Sequence, residues 1–332
     1  MNDYISLAHG DGGELAHNLI QEVFVNAFGH HEESKLDSAI LNLDGNQVAI
    51  STDSFVVKPI FFPGGNIGKL AVAGTVNDIA VSGAIPKYLT AAFIIEEGFS
   101  VVDLKKIVTS MAEEAKKAGV LIIAGDTKVV ERGSADGIYI NTTGFGIVKS
   151  KINPASIEIG DSVIVSGTLG DHGIAILSAR GDLGIMTDTI SDCASLNGMI
   201  NSVLESTNSV RIMRDPTRGG LATTLVEICE DFKVTIEIDE TKLPIRDEVK
   251  GACDILGYEP IYLANEGKVI FIVGSDEEEK VLQILKEYDI GLNAIAIGSV
   301  TSKEKGKLFL KTSLDTTRRL NRLSGMLLPR IC

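Results

Sequence analysis

Between Gly64 and Pro86 the chain reads GGNIGKLAVAGTVNDIAVSGAIP, a run of small and apolar residues broken in its interior by the pair Asn77-Asp78. A helix with so little side-chain volume on any face must be packed closely on all sides, so the run predicts a buried helix ending near Gly83. A carboxylate inside such a helix is costly unless a metal or hydrogen-bond donors meet it. Asp78 lies too far from either end to act as a cap, which makes it a candidate functional acid with Asn77 beside it.

At 332 residues the chain exceeds one comfortable core and predicts two domains. Asn153-Pro154 breaks the pattern and a fresh one starts at Ile157, which puts the boundary near residue 152. The expected units are residues 1–152, 153–312 and a tail over 313–332 that ends Gly325-Met-Leu-Leu-Pro-Arg-Ile-Cys332. A thiol at the end of a Gly- and Pro-punctuated tail is tethered on one side only, so it can visit a site on its own chain or on another protein. A formal net charge of −14 argues against a nucleic-acid backbone as partner and requires a metal to help hold any phosphate. The four cysteines, Cys193, Cys229, Cys253 and Cys332, form no C-x-x-C pair, so neither zinc site nor disulfide framework is expected, and Cys229 reads as core filler. The first residues lack a signal-peptide pattern and no apolar run spans a membrane, which predicts a cytoplasmic protein.

Along the first half, His9-Gly-Asp-Gly-Gly13 precedes a helical pattern carried by Leu15, Leu19, Ile20 and Val23. Two strand-like runs, 35–43 and 47–57, flank Asp44-Gly45-Asn46, which reads as a hairpin turn. Asp53 ends the second run and is either a turn former or a hard-cation ligand. Ser100 to Lys117 reads as a helix with a capping box and Lys116 and Lys117 at its C-terminal end. A strand over 120–124, expected to be buried, then runs into Gly125-Asp-Thr-Lys-Val129 and places Asp126 and Lys128 just past its carboxyl end, a usual position for ligand groups. A strand over 137–149 closes this half.

The second half alternates strands and helices. Arg214-Asp-Pro-Thr-Arg-Gly-Gly220 puts an acid, an arginine and two glycines at a helix N-terminus, where backbone donors favour an anion. Leu263-Ala-Asn-Glu-Gly-Lys268 places Glu266 in a turn between two expected strands, 258–264 and 268–274, where an exposed hairpin glutamate is the ordinary reading.

Taken together, HGDGG at 9–13, TDSFVV at 52–57, NDIAVSGAIP at 77–86, GDTKVV at 125–130, DPTRGG at 215–220, NEG at 265–267 and PRIC at 329–332 resemble the PurM-like, AIR synthase-related superfamily. Within it they are most similar to the carbamoyl dehydratases of NiFe-hydrogenase maturation, and the resemblance spans essentially the whole chain. It implies an α+β fold of mixed α/β character: an N-terminal sheet-forming dimerisation domain, a C-terminal α/β domain and a flexible C-terminal tail. It also implies ATP with Mg2+, a homodimer, and metal ligation by Asp53, Asp78 and Asp215. ATP contacts are implied for Asp53, Asn77, Asp78, Gly125, Asp126, Thr127, Asp215, Arg218, Gly219 and Gly220. The implied reaction starts from a carbamoyl group placed on Cys332 by HypF, dehydrates it to a thiocyanate with Lys128 and Glu266 assisting deprotonation, and passes cyanide to HypC–HypD. Asp11 stands where that family often has Ser. A selenophosphate synthetase would carry a reactive Cys near the N-terminus, and no cysteine precedes Cys193 here. Thiamine-monophosphate kinase and a non-catalytic ATP-binding scaffold remain as alternatives; neither requires catalysis on a terminal thiol.

Overall fold

The computed structural model describes residues 5–10, 12–28, 35–181, 184 and 186–323. Asp11 and the segment 324–332, with Cys332, therefore lie outside the described residues. Two mixed sheets organise the chain, as expected for the α+β class.

The first sheet joins β1 (Ala39–Leu43), β2 (Asn46–Phe55), β5 (Ala84–Glu96), β6 (Leu121–Val130) and β7 (Ile138–Val148) in the order β1-β2-β7-β5-β6, with β3 (Phe61–Phe62) and β4 (Gly65–Asn66) forming a separate small ladder. Asp44 and Gly45 both have positive φ, 45° and 86°, the mirror-type turn that a two-residue hairpin between β1 and β2 requires. On the sheet lies α3 (Ile67–Val81), whose first turn is capped by Asn66 accepting from the N–H groups of Gly68 and Lys69. Ile67, Leu70, Val72 and Val76 of α3 pack with Leu89 and with Ile107 and Met111 of α4 (Val101–Ala118). Ser100 caps α4 through Asp103 N, and Gly119 ends it in the left-handed region.

The second sheet has seven strands, β8 (Ser162–Val165), β9 (Val210–Arg214), β10 (Thr235–Asp239), β11 (Ile270–Val273), β12 (Ile295–Ser302), β13 (Leu308–Lys311) and β14 (Thr317–Leu320). Their order is β14-β13-β10-β12-β8-β11-β9. It is accompanied by α5 (Asp171–Arg180), α6 (Asn197–Ser206), α7 (Gly220–Phe232), α8 (Asp247–Leu256) and α9 (Glu278–Leu285). Ala80 and Val81, at the end of α3, enter a core with Phe271, Ile200 and Leu285, so one helix serves both sheets. Cys229 is fully buried on α7, as core filler should be.

Several expectations need correction. The N-terminal helical run, α1 (Glu14–Leu19) continuing through a π-turn at Ile20–Val25 into α2 (Asn26–Phe28), buries Ala16 and Val25 and leaves Leu15, Ile20 and Val23 exposed. The wider π-turn rotates the buried face away from a 3.6-residue stripe. The expected strand at 258–264 is a 3-10 turn at Pro260–Tyr262, because Pro260 lacks an N–H for a ladder. The unexpected strand β9 fills the sheet edge beside β11 instead. The tail expected from residue 313 begins as β14, antiparallel to β13, with Leu320 and Leu323 buried. Finally, β6 is an exposed edge strand rather than a buried one, and it runs through residues 125–129 instead of ending before them.

Candidate active site

Alternation along β2 sets the first part of the site. Ser51, Asp53 and Phe55 share the face toward α3, while Thr52 and Ser54 turn the other way. Ser51 Oγ donates to Asp78 Oδ2 at 2.6 Å, and Asp53 stands near enough for its charge to act on Asp78. Burial, then repulsion from Asp53, Asp215 and Asp37, drives Asp78 well above the ordinary carboxyl range. Asp53 is raised as well, chiefly by burial, with the Arg218 guanidinium opposing.

The second part comes from the turn after β9. Thr217 N donates to Asp215 O, and Gly219 and Gly220 both take positive φ, 75° and 62°. A Cβ on Gly220 would lie 2.5 Å from Leu263 O, so the turn folds tightly against the segment leading to Glu266. Asn265 cross-links the two stretches: its N–H and its side-chain amide both donate to Pro216 O, at 3.1 and 3.0 Å. Burial and the neighbouring Asp37 push Asp215 up to about 8. Asp37, itself raised to about 6 by burial, pairs with Arg214 at 2.7 Å.

Glu266 is 3% exposed, which overturns its reading as a hairpin surface residue. Its backbone is held on both sides: the N–H donates to Asp192 Oδ1 at 3.0 Å, and the carbonyl accepts from Asn77 Nδ2 at 3.4 Å. Lys268 Nζ meets Asp192 Oδ2 at 3.1 Å in a buried ion pair that keeps Asp192 below its usual range against the opposing effect of burial. Between them Gly267 runs so close to Asp192 O that a Cβ there would lie at 1.8 Å. The Glu266 side chain is less constrained: its Oε1 is buried with no hydrogen-bond partner among the described residues. Burial, then the charges of Asp215 and Asp192, raises its carboxyl well above normal.

These groups converge. Asp53, Asp78, Asp215, Glu266, Thr217 and Arg218 line one narrow cleft, closed at the base by Phe55 and Gly74. Four carboxyl groups that burial raises above their ordinary range, one of them with an orphaned oxygen, form a donor set for a hard divalent cation. Among the described residues no three such side chains already stand in a metal-ligating cluster. Arg218, just before the N-terminus of α7, brings an anion-directed donor to the same cleft, while the Gly220 N–H is held within the turn by Thr217 O at 3.0 Å.

Other sequence-singled residues fall elsewhere. Asn77 spends its amide on the Ala194 and Glu266 carbonyls and accepts from Leu196 N, so it fixes the floor of the site rather than facing the cleft. Gly125, Asp126, Thr127 and Lys128 sit on edge strand β6. Lys128 and Asp126 pair with one another at 2.8 Å in solvent. Three strand spacings separate β6 from β2, about 14 Å, so Lys128 does not join Asp53 within one chain. Sequence reading missed Asp37, Asp192 and Lys268; the only local signal was Lys268 directly after the Asn-Glu-Gly turn.

Residues 35–148 match the AIR synthase related protein N-terminal domain and residues 158–311 the AIR synthase related protein C-terminal domain. The chain is 44% identical over 336 residues to the carbamoyl dehydratase HypE of Rhodobacter capsulatus, covering 100% of this chain and 99% of that protein. A solved HypE–HypF complex contains a chain of similar structure, with TM-score 0.86 and 50% identity over 92% of this chain and 99% of that one. A solved HypE in complex with ATP gives TM-score 0.83 and 43% identity over 99% of this chain and 100% of that one. Likeness of this extent covers the acid-lined cleft and both sheets alike, and the chain belongs to the HypE family of AIR synthase related proteins.

Proposed function

We propose that this chain is an ATP-dependent carbamoyl dehydratase of NiFe-hydrogenase maturation that converts an S-carbamoyl group on its own Cys332 to a thiocyanate. The observation that carries this reading is the convergence of Asp53, Asp78, Asp215 and Glu266 with Arg218 in one cleft. Relatives aligned over the full chain bear the name carbamoyl dehydratase, which supports it. HypF, bound to a relative in a solved complex, is the proposed carbamoyl donor, and HypC–HypD the proposed cyanide acceptor.

The balance of the reaction assigns the work. The γ-phosphoryl group passes to the carbamoyl oxygen, which then leaves as phosphate while the nitrogen loses its protons, so R–S–C(=O)–NH2 and ATP become R–S–C≡N, ADP and phosphate. Arg218 and the turn at Gly219, at the N-terminus of α7, hold phosphate oxygens. Asp53, Asp78 and Asp215 hold Mg2+, which when bound offsets the charge of the polyphosphate. Glu266 takes a proton from nitrogen: a carboxylate with a raised pKa is a stronger base than an exposed one, and its unpartnered Oε1 is available to do so. Asn77, Asp192 and Lys268 position Glu266.

The protein is proposed to act in the cytoplasm as a homodimer; among the described residues no helix is long and apolar enough to cross a membrane. Leu121, Ile123 and Val129 are 60–70% exposed on β6, an apolar edge that a second copy would cover. In that arrangement Gly125, Asp126, Thr127 and Lys128 serve the second copy's cleft. The division at residue 152 stands as a proposal, with the carrier arm beginning only after Leu323. ATP turnover measured before and after carbamoylation of Cys332 tests the reading: it predicts turnover only with the carbamoylated protein, and equal turnover in both would contradict it.

A further inference from the structure

The peptide that carries Glu266 is gripped by α5 as well as by Asp192. The Gly170 N–H donates to Asn265 Oδ1 at 2.8 Å and the Gly173 N–H to Ala264 O at 3.1 Å, so the first turn of α5 runs against the two residues before Glu266. The approach is close: a Cβ on Gly173 would lie 3.0 Å from Leu263 Cβ. Between these two donors stands His172, wholly buried, its ring perpendicular to that of Phe62 with 5.6 Å between centroids.

His172 Nδ1 shares a hydrogen bond of 2.8 Å with Ser191 Oγ, which also accepts from Cys193 N at 3.1 Å. Ser191 opens a stretch, 191–196, that is neither helix nor strand. Its backbone is nonetheless satisfied, as burial requires: Ser191 N donates to Pro63 O, Ser195 N to Glu114 Oε1 and Leu196 N to Asn77 Oδ1. Two more bonds reach the proposed base itself. Ala194 N donates to Glu266 O at 3.5 Å, and Asp192 Oδ1 accepts from Glu266 N at 3.0 Å. A strap without a ladder takes its place from the side chains that tie it down, and His172 ties the end that carries Asp192.

We infer that His172 is a positioning residue for the dehydration: through Ser191 it fixes the strap at 191–196, and through Asp192 the strap holds Glu266 at the cleft. The inference rests on the reading of Glu266 as the base. His172 does not line the cleft, so it acts on the base and not on the substrate. Glu266 depends on its backbone for placement, because its Oε1 has no hydrogen-bond partner among the described residues. A base misplaced by about 1 Å loses up to about a hundredfold in rate.

Hydrogen exchange of the Glu266 amide tests the clamp without reference to turnover. His172→Leu, which fills the space without a polar atom, should speed exchange of that amide about tenfold and leave the Ile272 amide of β11 unchanged. His172→Asn, whose amide can stand where Nδ1 stood, should restore exchange to within about threefold. Unchanged exchange at Glu266, or an equal rise at Ile272, overturns the inference. Ser191→Ala removes the other end of the bond and carries the same expectation, so it decides the matter where His172→Leu does not fold. In turnover, His172→Leu should lower kcat for water loss from carbamoylated Cys332 about tenfold with KM for ATP unchanged, yet cost less than about twofold in a Glu266→Gln background. The full loss in that background overturns the inference, since His172 would then act elsewhere than on Glu266. Full turnover by Glu266→Gln itself contradicts the reading of Glu266 as base, and the role in turnover with it, while the exchange result still decides the clamp.

Discussion

The Glu266 N–H donates to Asp192 Oδ1 across a sequence gap of 74 residues, at 3.0 Å. With Lys268 on the other Asp192 oxygen, the peptide carrying the proposed base is fixed by a buried charge pair rather than by a sheet ladder. Lys268→Met leaves Asp192 buried and uncompensated and should destabilise the protein by about 3–5 kcal/mol. The double variant Asp192→Asn/Lys268→Met should regain most of that stability in urea unfolding, yet turn over on the order of tenfold more slowly. A double variant with full turnover would remove the positioning role.

Asp78 is a carboxyl whose burial opposes folding. Asp78→Asn keeps the shape, removes repulsion with Asp53 and Asp215, and should raise the unfolding midpoint of the metal-free protein by a gain of about 1–2 kcal/mol. Equilibrium binding should show weaker Mg–ATP affinity in the same variant. A fall in the midpoint would mean that the Ser51–Asp78 bond outweighs the repulsion.

The raised carboxyls fix a sign for pH dependence. A group whose folded pKa exceeds its unfolded value contributes stability that is present below the unfolded pKa and lost as pH rises through the folded one. Asp37 at about 6 and Asp215 at about 8 therefore make the metal-free protein less stable as pH rises from about 4 to about 8. Added Mg2+ should raise the thermal midpoint strongly at the upper end and little at the lower, where the carboxyls are protonated. Scanning calorimetry with and without Mg2+ reads both effects.

Cys193, Cys229 and Cys253 are buried, and burial pushes Cys229 and Cys253 up to about 12 and Cys193 higher than an ordinary thiol. None should react with iodoacetamide at neutral pH. Native protein should take up one label per chain, on Cys332, and denatured protein a label on each of its four cysteines. A native label on Cys193 would contradict the closed packing behind the cleft.

Much of this was legible in local sequence where a single element decides its own form. Ser100 and Gly119 bracket α4, Asp44-Gly45 makes the hairpin, and the small residues of α3 bury it. Asp78 was singled out as well, because a carboxylate set among apolar residues costs stability unless a ligand or donors meet it, whereas the joint role of Asp53 and Asp215 with it came from the family resemblance. What stayed hidden depends on neighbours far along the chain. Nothing near Glu266 announces its burial, which comes from Asp192 and from Asn77 on α3. The period-2 alternation of Val210 and Ile212 in β9 was present but short. The exposure of β6 is set by its place at the sheet edge, which no local pattern encodes. The length of the arm was overestimated because β14 is only four residues and exposed on three of them.

The most direct test of the central claim is the mass of the C-terminal peptide after incubation with HypF, carbamoyl phosphate, ATP and Mg2+. The account predicts that the peptide containing Cys332 gains one carbamoyl group and then loses one water, the second change failing in Glu266→Gln and without ATP. A carbamoyl group that persists while ATP is consumed, or a Cys332 left unmodified under conditions that charge another family member, would contradict it.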